Sequence, residues 1–222
     1  MIKMIDEKTI IEILSGKMKY LYITRDITIF EEQNSELEKL YREIVEIKQK
    51  FIDEKNEDEA NKFLSLEDLC MSILSGIRMF IKLKQNDPNG SWLNLVDAQN
   101  YANWSINHYE LSTNLPQNCI IHFNNIEKIL FPPQSFNSIS LSSVKSKCSI
   151  CDDDFSLCDH IRGEAYMGVS CSEICTEVKD FHHIALVNNP DDKRCRNTAY
   201  GKSKDNMIDV MTLLPEKKNE SK

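Results

Sequence analysis

Residues 148–195 read CSICDDDFSLCDHIRGEAYMGVSCSEICTEVKDFHHIALVNNPDDKRC, and this stretch decides how the C-terminal part of the chain folds. It holds most of the cysteines and histidines of the chain. Thiolate sulfur and imidazole nitrogen are the preferred ligands of zinc, and a Cys-x-x-Cys spacing lets one tight turn aim two sulfurs at one metal. Cys148 and Cys151 have this spacing, and Cys158 and His160 follow as a second short-range pair. We therefore predict a structural zinc site at the root of a small C-terminal domain.

The segment offers more ligands than the four that a closed tetrahedral zinc site needs. The spacing favours Cys148, Cys151, Cys158 and His160. The chief alternative replaces Cys158 or His160 with Cys171. Both ligand sets stay open from the sequence alone.

A second metal site within the same segment also stays open. Cys171 and Cys175 are four positions apart, which would place both on one face of a helical turn. The aspartates Asp152–Asp154 are hard oxygen donors beside soft sulfurs, so we expect them to shape the loop rather than to bind the metal. The candidates for a second site are Cys175, His182, His183 and Cys195.

Two catalytic interpretations of these cysteines are less favoured. A redox Cys-x-x-Cys opens a helix in a thioredoxin-like context, whereas this one follows a strand-like segment and precedes three aspartates. A nucleophilic Cys195 would need His182 or His183 as its base, but adjacent histidines on a strand point to opposite faces. A metal site dominated by thiolates has little Lewis acidity. The prediction is therefore structural zinc with no catalytic residue.

Composition and charge restrict the class of protein. The chain has 222 residues and a formal net charge of −8, which argues against binding to nucleic acid or to anionic membranes. No stretch approaches the ~20 apolar residues that span a bilayer, and the acidic N-terminus does not resemble a signal peptide. We expect a cytoplasmic protein, in which clustered cysteines favour metal over disulfides. Cys70 and Cys119 lie in apolar stripes and are predicted to be core thiols.

The first half of the chain has the apolar periodicity of α-helices. Residues 22–29 are rich in β-branched side chains and predict either an early end of the first helix or a short strand. Apolar residues recur every seven positions along the helix predicted at 28–55, a repeat that is typical of a dimeric coiled coil. Gln33 and Glu54 interrupt that seam and favour an intramolecular helical hairpin. The helices are predicted at residues 7–21, 28–55, 66–83, 91–108 and 118–131, the last as a short helix or strand.

Three local signals predict where these helices begin. Residues 53–61 form an acidic break between two helices. Ser65 with Asp68 three positions later resembles a capping box and places a helix start at Leu66. The sequence QNDPNG at 85–90 is a turn signal, and Ser91 is predicted to cap the helix that follows it.

The composition changes near Pro133, where we place a domain boundary. Residues 135–147 alternate serine with apolar residues and predict a strand that delivers the chain to Cys148. Residues 181–187 predict another strand, and residues 207–215 a final strand that closes a small sheet. The predicted fold class is α+β, an N-terminal helical bundle followed by a small zinc-stabilised, β-rich domain. The predicted divisions are a helical domain at 1–132, a zinc-binding domain at 133–215 and a charged tail at 216–222.

The Cys/His segment resembles a segment of some tailed-phage head proteins related to prohead proteases and to scaffold or capsid-associated proteins. The residues that carry the resemblance are Cys148, Cys151, Cys158, His160, Gly163, Tyr166 and Gly168, and then the strand from His183 to Val187, Pro190, Cys195 and Arg196. It covers about a quarter of the chain. The resemblance implies a zinc-stabilised β module used in protein assembly. The serine and histidine arrangement of a prohead protease is not evident, so peptidase activity is not implied.

These observations lead to one expected function and one alternative. We expect a non-enzymatic, zinc-binding interaction or assembly subunit with a protein partner and a homo- or hetero-oligomeric state, and the resemblance implies that it is phage- or prophage-related. The alternative is a zinc-dependent hydrolase or peptidase-like protein descended from phage maturation factors. An open metal position beside His182 or His183 would favour the alternative, and a closed Cys/His site would oppose it.

Overall fold

The computed structural model describes residues 5–22, 25–201 and 206–215, without the side chains of residues 142–144. It has the predicted α+β class, because a bundle of helices is followed by a small sheet region that carries the Cys/His segment. The predicted charged tail at 216–222 lies outside the described residues. The helices of the bundle are α1 (Glu7–Lys17), α2 (Lys19–Tyr22), α3 (Ile27–Asp53), α4 (Glu57–Lys84), α5 (Pro88–His108) and α6 (Leu115–Leu130).

The beginnings of α3 and α4 differ from the sequence-based expectation. The short strand predicted within 22–29 is wrong where that part is described, because Asp26 accepts a hydrogen bond from the Thr28 amide and α3 begins at Ile27. The acidic break is shorter than predicted, since Asn56 caps α4 and Glu57–Glu59 form its first turn. Carboxylates in a first turn are favoured by the positive end of the helix dipole.

Two serines that were predicted to cap helices lie inside them instead. Ser65 is fully buried in α4, and its hydroxyl donates to the carbonyl oxygen of Ser105 at 2.6 Å. Ser91 lies inside α5 and donates to the carbonyl oxygen of Met79 at 3.0 Å. The residue that caps α5 is Asp87, which accepts from the Gly90 amide and is followed by a proline at the first helical position.

Helices α3 and α4 form the predicted intramolecular hairpin. Phe30 at the start of α3 stacks on Phe80 near the end of α4, with ring centroids 5.2 Å apart. At the other end of the hairpin Phe51 packs against Phe63. The heptad stripe of α3 is therefore buried within the chain. Cys70 and Cys119 are core thiols as predicted. The fully buried large side chains of this core include Trp92, Phe30, Phe123, Ile10, Leu14, Leu37, Ile44, Leu66 and Ile73.

The main β element is a long two-stranded antiparallel ribbon, which we call the ribbon. It pairs β1 (Phe136–Cys148) with β4 (Glu173–Val187), so that the two strands predicted from sequence belong to one ladder. Two β-bulges, at Ser140/Leu141 and Lys145/Ser146, interrupt its register. Bulges of this kind bend a strand and increase its twist.

Two very short hairpins accompany the ribbon. One pairs β2 (Ala165–Tyr166) with β3 (Val169–Ser170), and the other pairs β5 (Ala199–Tyr200) with β6 (Ile208–Asp209). The long final strand predicted at 207–215 is wrong. Only two of its residues form a strand, because the chain turns after Asp209, whose carbonyl oxygen accepts a hydrogen bond from the Leu213 amide. This short strand pairs with β5 and does not join the ribbon.

The segment that follows the ribbon packs on the helices at the N-terminal end of α5. Trp92 is fully buried there, and its indole nitrogen donates to the carbonyl oxygen of Lys193 at 3.1 Å. The Lys193 ammonium forms an ion pair with Glu127 on α6 at 2.6 Å. Phe136, the first residue of β1, lies near the Trp92 ring in the same core. The domain division near Pro133 stays a prediction, and these contacts join the two parts that it would separate.

Candidate metal centre

Four of the predicted ligands come together at the end of the ribbon. One ligand atom from each of Cys148, Cys151, Cys158 and His160 lies within 4.8 Å of the other three. Cys148 is the last residue of β1 and is buried, whereas the other three are partly open to solvent. These are the four residues that the spacing favoured. Three sulfurs and one imidazole at this separation can hold a metal ion.

The loop between Cys148 and Cys158 is fixed by its own backbone. The Cys148 amide donates to the carbonyl oxygen of Asp153 at 2.9 Å, and the Asp152 amide donates back to that of Cys148 at 3.0 Å. Asp152 has φ +63°, a left-handed conformation that aspartate tolerates better than most residues. Asp154 caps a short 3-10 helix, Phe155–Leu157, by accepting from the Ser156 amide. The aspartates therefore shape the loop, as expected.

Cys171 lies directly against this cluster. Its sulfur is 3.8 Å from the sulfur of Cys148. Two thiolates bound to one tetrahedral zinc at ~2.3 Å each lie about 3.8 Å apart. Cys171 is buried and fixed, because its amide donates to the carbonyl oxygen of Glu164 and its own carbonyl accepts from the Gly163 amide, both at 2.8 Å. The distance keeps Cys171 available as the alternative fourth ligand.

The ring of His160 carries a polar atom that lacks a partner among the described residues. Its Nδ1 is buried and accepts or donates no hydrogen bond in the described structure. The ring packs edge-on against Tyr166, with centroids 4.6 Å apart. Tyr166 is itself held by the Ile161 amide, which donates to its hydroxyl at 2.9 Å. Because a buried nitrogen without a partner is costly, a metal ion coordinated by the ring would remove that cost.

The cysteines also differ in how readily they ionise. Burial raises the pKa of Cys148, but hydrogen bonds from the amides of Cys151 and Ile150 and from neighbouring thiols outweigh it and lower the pKa to about 6. Burial and the adjacent Cys148 sulfur raise the pKa of Cys171 to about 11. Without a cation, repulsion between neighbouring thiolates keeps most thiols of a close cluster protonated. A divalent cation instead stabilises every thiolate that it binds.

The remaining candidates do not form a second metal site in the described part of the chain, where the cluster is the one group of His, Cys, Asp or Glu side chains close enough to hold an ion. The helical turn expected for Cys171 and Cys175 is wrong, because the chain enters β4 at Glu173. Cys175 is exposed on that strand, and so are His182 and His183.

Cys195 is exposed in the segment after β4. Its carbonyl oxygen accepts a hydrogen bond from the Asn137 amide at 2.8 Å. This contact joins the Cys195 backbone to the start of β1.

A buried polar chain that links the cluster to the helices was missed from the sequence. His108, at the end of α5, shares a 2.6 Å hydrogen bond between its Nδ1 and Asp68 of α4. Its Nε2 lies 2.8 Å from the hydroxyl of Ser170, the residue before Cys171. With Nδ1 donating to the carboxylate, Nε2 accepts from the serine. We call these three residues the Asp68–His108–Ser170 chain.

These three residues are hydrogen-bonded in the same sequence as a Ser-His-Asp catalytic triad, but they do not lie in an active-site environment. The side chains of His108 and Asp68 are 1% and 8% exposed, and they lie between α4, α5 and β3. Burial raises the pKa of the Asp68 carboxyl, while the hydrogen bond from His108 acts in the opposite direction. A catalytic serine needs access to substrate and donors for an oxyanion. The burial supports a structural role, in which the three groups satisfy one another.

The hairpin β2–β3 also docks on the start of α4. The Gly168 amide donates to the side-chain oxygen of Asn61 at 2.7 Å, and the Asn61 amide group donates to the carbonyl oxygen of Ala165 at 3.1 Å. Gly168 has φ +73°, and a Cβ there would lie 3.0 Å from Cδ1 of Ile52. Glycine is therefore required both by the turn and by the close approach of the helices. We call residues 148–171 the metal module.

Comparisons of the chain with protein-family models, with curated proteins and with solved structures find no match. Within the described residues, none of the helices combines the length and the apolar character that a membrane crossing requires.

Proposed function

We propose that the protein is a non-enzymatic, zinc-binding interaction or assembly subunit. The observation that carries the proposal is the position of the Cys/His cluster at the end of the ribbon. An ion bound there would tie the end of β1 to the loop that runs to His160, and Cys171 as a ligand would add the hairpin β2–β3. In small modules the free energy of metal binding is also free energy of folding. Zinc is the proposed ion because thiolate and imidazole ligands in a four-coordinate site suit it best.

The donor set favours this function over the hydrolase alternative. A catalytic zinc keeps one position open to water and has few thiolate ligands. Three cysteines and a histidine already supply four ligands, and Cys171 adds a further sulfur at tetrahedral distance from Cys148. His182 and His183, which would have served the alternative, are exposed on β4. We therefore propose a closed, structural site.

The proposed partner is another protein in the cytoplasm. A formal net charge of −8 disfavours nucleic acid, and a reducing compartment favours metal over disulfides for clustered cysteines. The resemblance of the Cys/His segment to tailed-phage head proteins supports an assembly role in a phage- or prophage-derived system.

Chelation followed by hydrogen exchange tests this proposal. After zinc removal we expect fast amide exchange in the metal module and at the adjoining end of the ribbon, while α3 and α4 keep their protection. Adding zinc back should restore the protection of the module. Cys175→Ser provides the control, because Cys175 lies outside the cluster and this variant should respond to zinc removal and addition as the wild type does. Unchanged protection of residues 148–171 after complete metal removal would contradict a structural role.

A further inference from the structure

One face of the ribbon is mostly apolar and is left exposed by the described part of the chain. Side chains on a strand alternate between its two faces, so residues 137, 139 and 141 of β1 share one face. The register places Ile184 opposite Ile139, Phe181 opposite Leu141 and Leu186 opposite Asn137. We call this face, which consists of Ile139, Leu141, Phe181, Ile184 and Leu186, the apolar face. Its five apolar side chains are between 42% and 73% exposed.

The opposite face of the ribbon has a different composition. It presents Ser138, Ser140, His183 and Ala185 near the same positions. Phe136 is on this second face too, where it is buried at the base of the ribbon beside Trp92. The apolar face therefore points away from the side that packs on the helices. A two-stranded ribbon is only marginally stable by itself, and it gains most when one face is covered.

We propose that the apolar face is a self-association surface that pairs two copies of this chain, and this inference rests on the proposed function. A twofold axis through the pair Ile139/Ile184 would place the pair Leu141/Phe181 of one copy opposite the pair Asn137/Leu186 of the other. The two central pairs would then face each other and Phe181 would face Leu186, which gives the reciprocal contacts of an isologous interface. Two sheets packed this way form a sandwich about 10 Å thick between their backbones.

The size of the surface fits a reversible dimer. At their observed exposure the five side chains present about 500 Å² on each copy, or on the order of 1,000 Å² for the pair, which reaches the lower limit for a specific interface. A patch of this size on a monomer is commonly functional.

The charged residues next to the apolar face are of both signs. Lys179 lies two positions from Phe181 on β4, and further along the ribbon Lys145 and Glu177 form an ion pair with each other at 2.8 Å. Asp191 and Asp192 line a cavity beside Ile139. The chain as a whole carries a formal charge of −8, but the apolar face itself contains no charged residue. Because the charges at its edge have both signs, no block of like charge lies where two copies meet.

Two lysine substitutions at neighbouring positions test the proposal by sedimentation equilibrium on the zinc-loaded, full-length chain. Ile184→Lys would bury one lysine from each copy in the dimer interface, so the dissociation constant of the dimer should rise by at least about 100-fold. His183→Lys adds a lysine to the opposite face and should leave the dissociation constant unchanged. Zinc content and the thermal melt of each variant show whether it is folded.

The outcomes separate this inference from the proposed function. A concentration-dependent dimer that is lost in Ile184→Lys and kept in His183→Lys supports the inference. A wild-type chain that stays monomeric with zinc bound overturns self-association and leaves the interaction subunit standing. A dimer that survives Ile184→Lys overturns the assignment of the face. A folded dimer without zinc overturns the proposed metal site and not the dimer.

Discussion

Replacing Ser170 with alanine tests whether the metal module is held on the helical bundle by the Asp68–His108–Ser170 chain. The substitution removes one hydroxyl and leaves Nε2 of His108 without its partner. Because the His108 side chain is 1% exposed, its Nε2 has little access to water that could replace the lost hydrogen bond. A buried polar atom left unsatisfied costs about 1–3 kcal/mol, so we expect the free energy of unfolding to fall by that amount.

Urea denaturation followed by circular dichroism measures this loss, with Ser172→Ala as the matched control. Ser172 is exposed, so its replacement should change the free energy of unfolding by less than about 0.5 kcal/mol. His108→Ala should cost more, roughly 3–5 kcal/mol, because it leaves the Asp68 carboxylate buried and unpaired. Equal stability of Ser170→Ala and Ser172→Ala would refute the structural role of the chain.

The free energy of unfolding of His108→Ala should depend on pH in a predictable direction, because the substitution changes the pKa of Asp68. Burial already raises the pKa of Asp68, and His108 is the group that lowers it most. Without His108 the pKa of Asp68 in the folded state rises further above its unfolded value. Such a group stabilises the fold when protonated and loses this contribution as the pH rises through its folded-state pKa. The stability gap between the variant and wild type should therefore narrow as the solution is made acidic, and a widening gap would contradict this account.

Three further substitutions test the packing of the chain. Gly76→Ala would place a Cβ 2.6 Å from Cε1 of Phe123, so we expect it to destabilise the fold by about 1–3 kcal/mol in thermal or chemical denaturation. Gly16→Ala, where nothing lies within 4 Å, should instead stabilise the fold by up to ~1 kcal/mol, and the same sign for both would contradict the packing described. Trp92→Phe removes the donor to the carbonyl oxygen of Lys193 and should speed amide exchange around Lys193, an effect that unchanged exchange would disprove.

Local spacing was enough to predict much of the metal centre. Cys148 and Cys151 lie in one turn, so their convergence follows from covalent connectivity, and Cys158 and His160 follow within a few residues. Cys171 is different, because its approach to Cys148 depends on how the hairpin β2–β3 folds back. The sequence suggested a helical turn from the separation of Cys171 and Cys175, but strand pairing with β1 overrides that local spacing.

The helices were predicted well in their interiors and less well at their ends. Apolar periodicity extends over many residues, whereas a cap depends on one side chain among several that could serve. Ser65 matched a capping pattern, but its hydroxyl is used inside the core by the carbonyl oxygen of Ser105. Asn56 and Asp87 cap instead, each ahead of a complete first turn.

The Asp68–His108–Ser170 chain could not be read from the sequence at all. Its members are 40 and 62 positions apart, and no short-range spacing marks them. Each is an ordinary polar residue in its own segment, and only the packing of α4, α5 and β3 brings the three together. The same applies to the apolar face, since its bulged register decides which side chains share a side.

Metal analysis of the purified chain tests the central claim most directly. We predict a single zinc ion per chain, lost in Cys148→Ser and retained in Cys175→Ser, because Cys148 is within the cluster and Cys175 is outside it. Parallel measurement of Cys158→Ser, His160→Ala and Cys171→Ser identifies the other ligands. A folded wild-type protein without metal, or full zinc content in Cys148→Ser, would contradict the account.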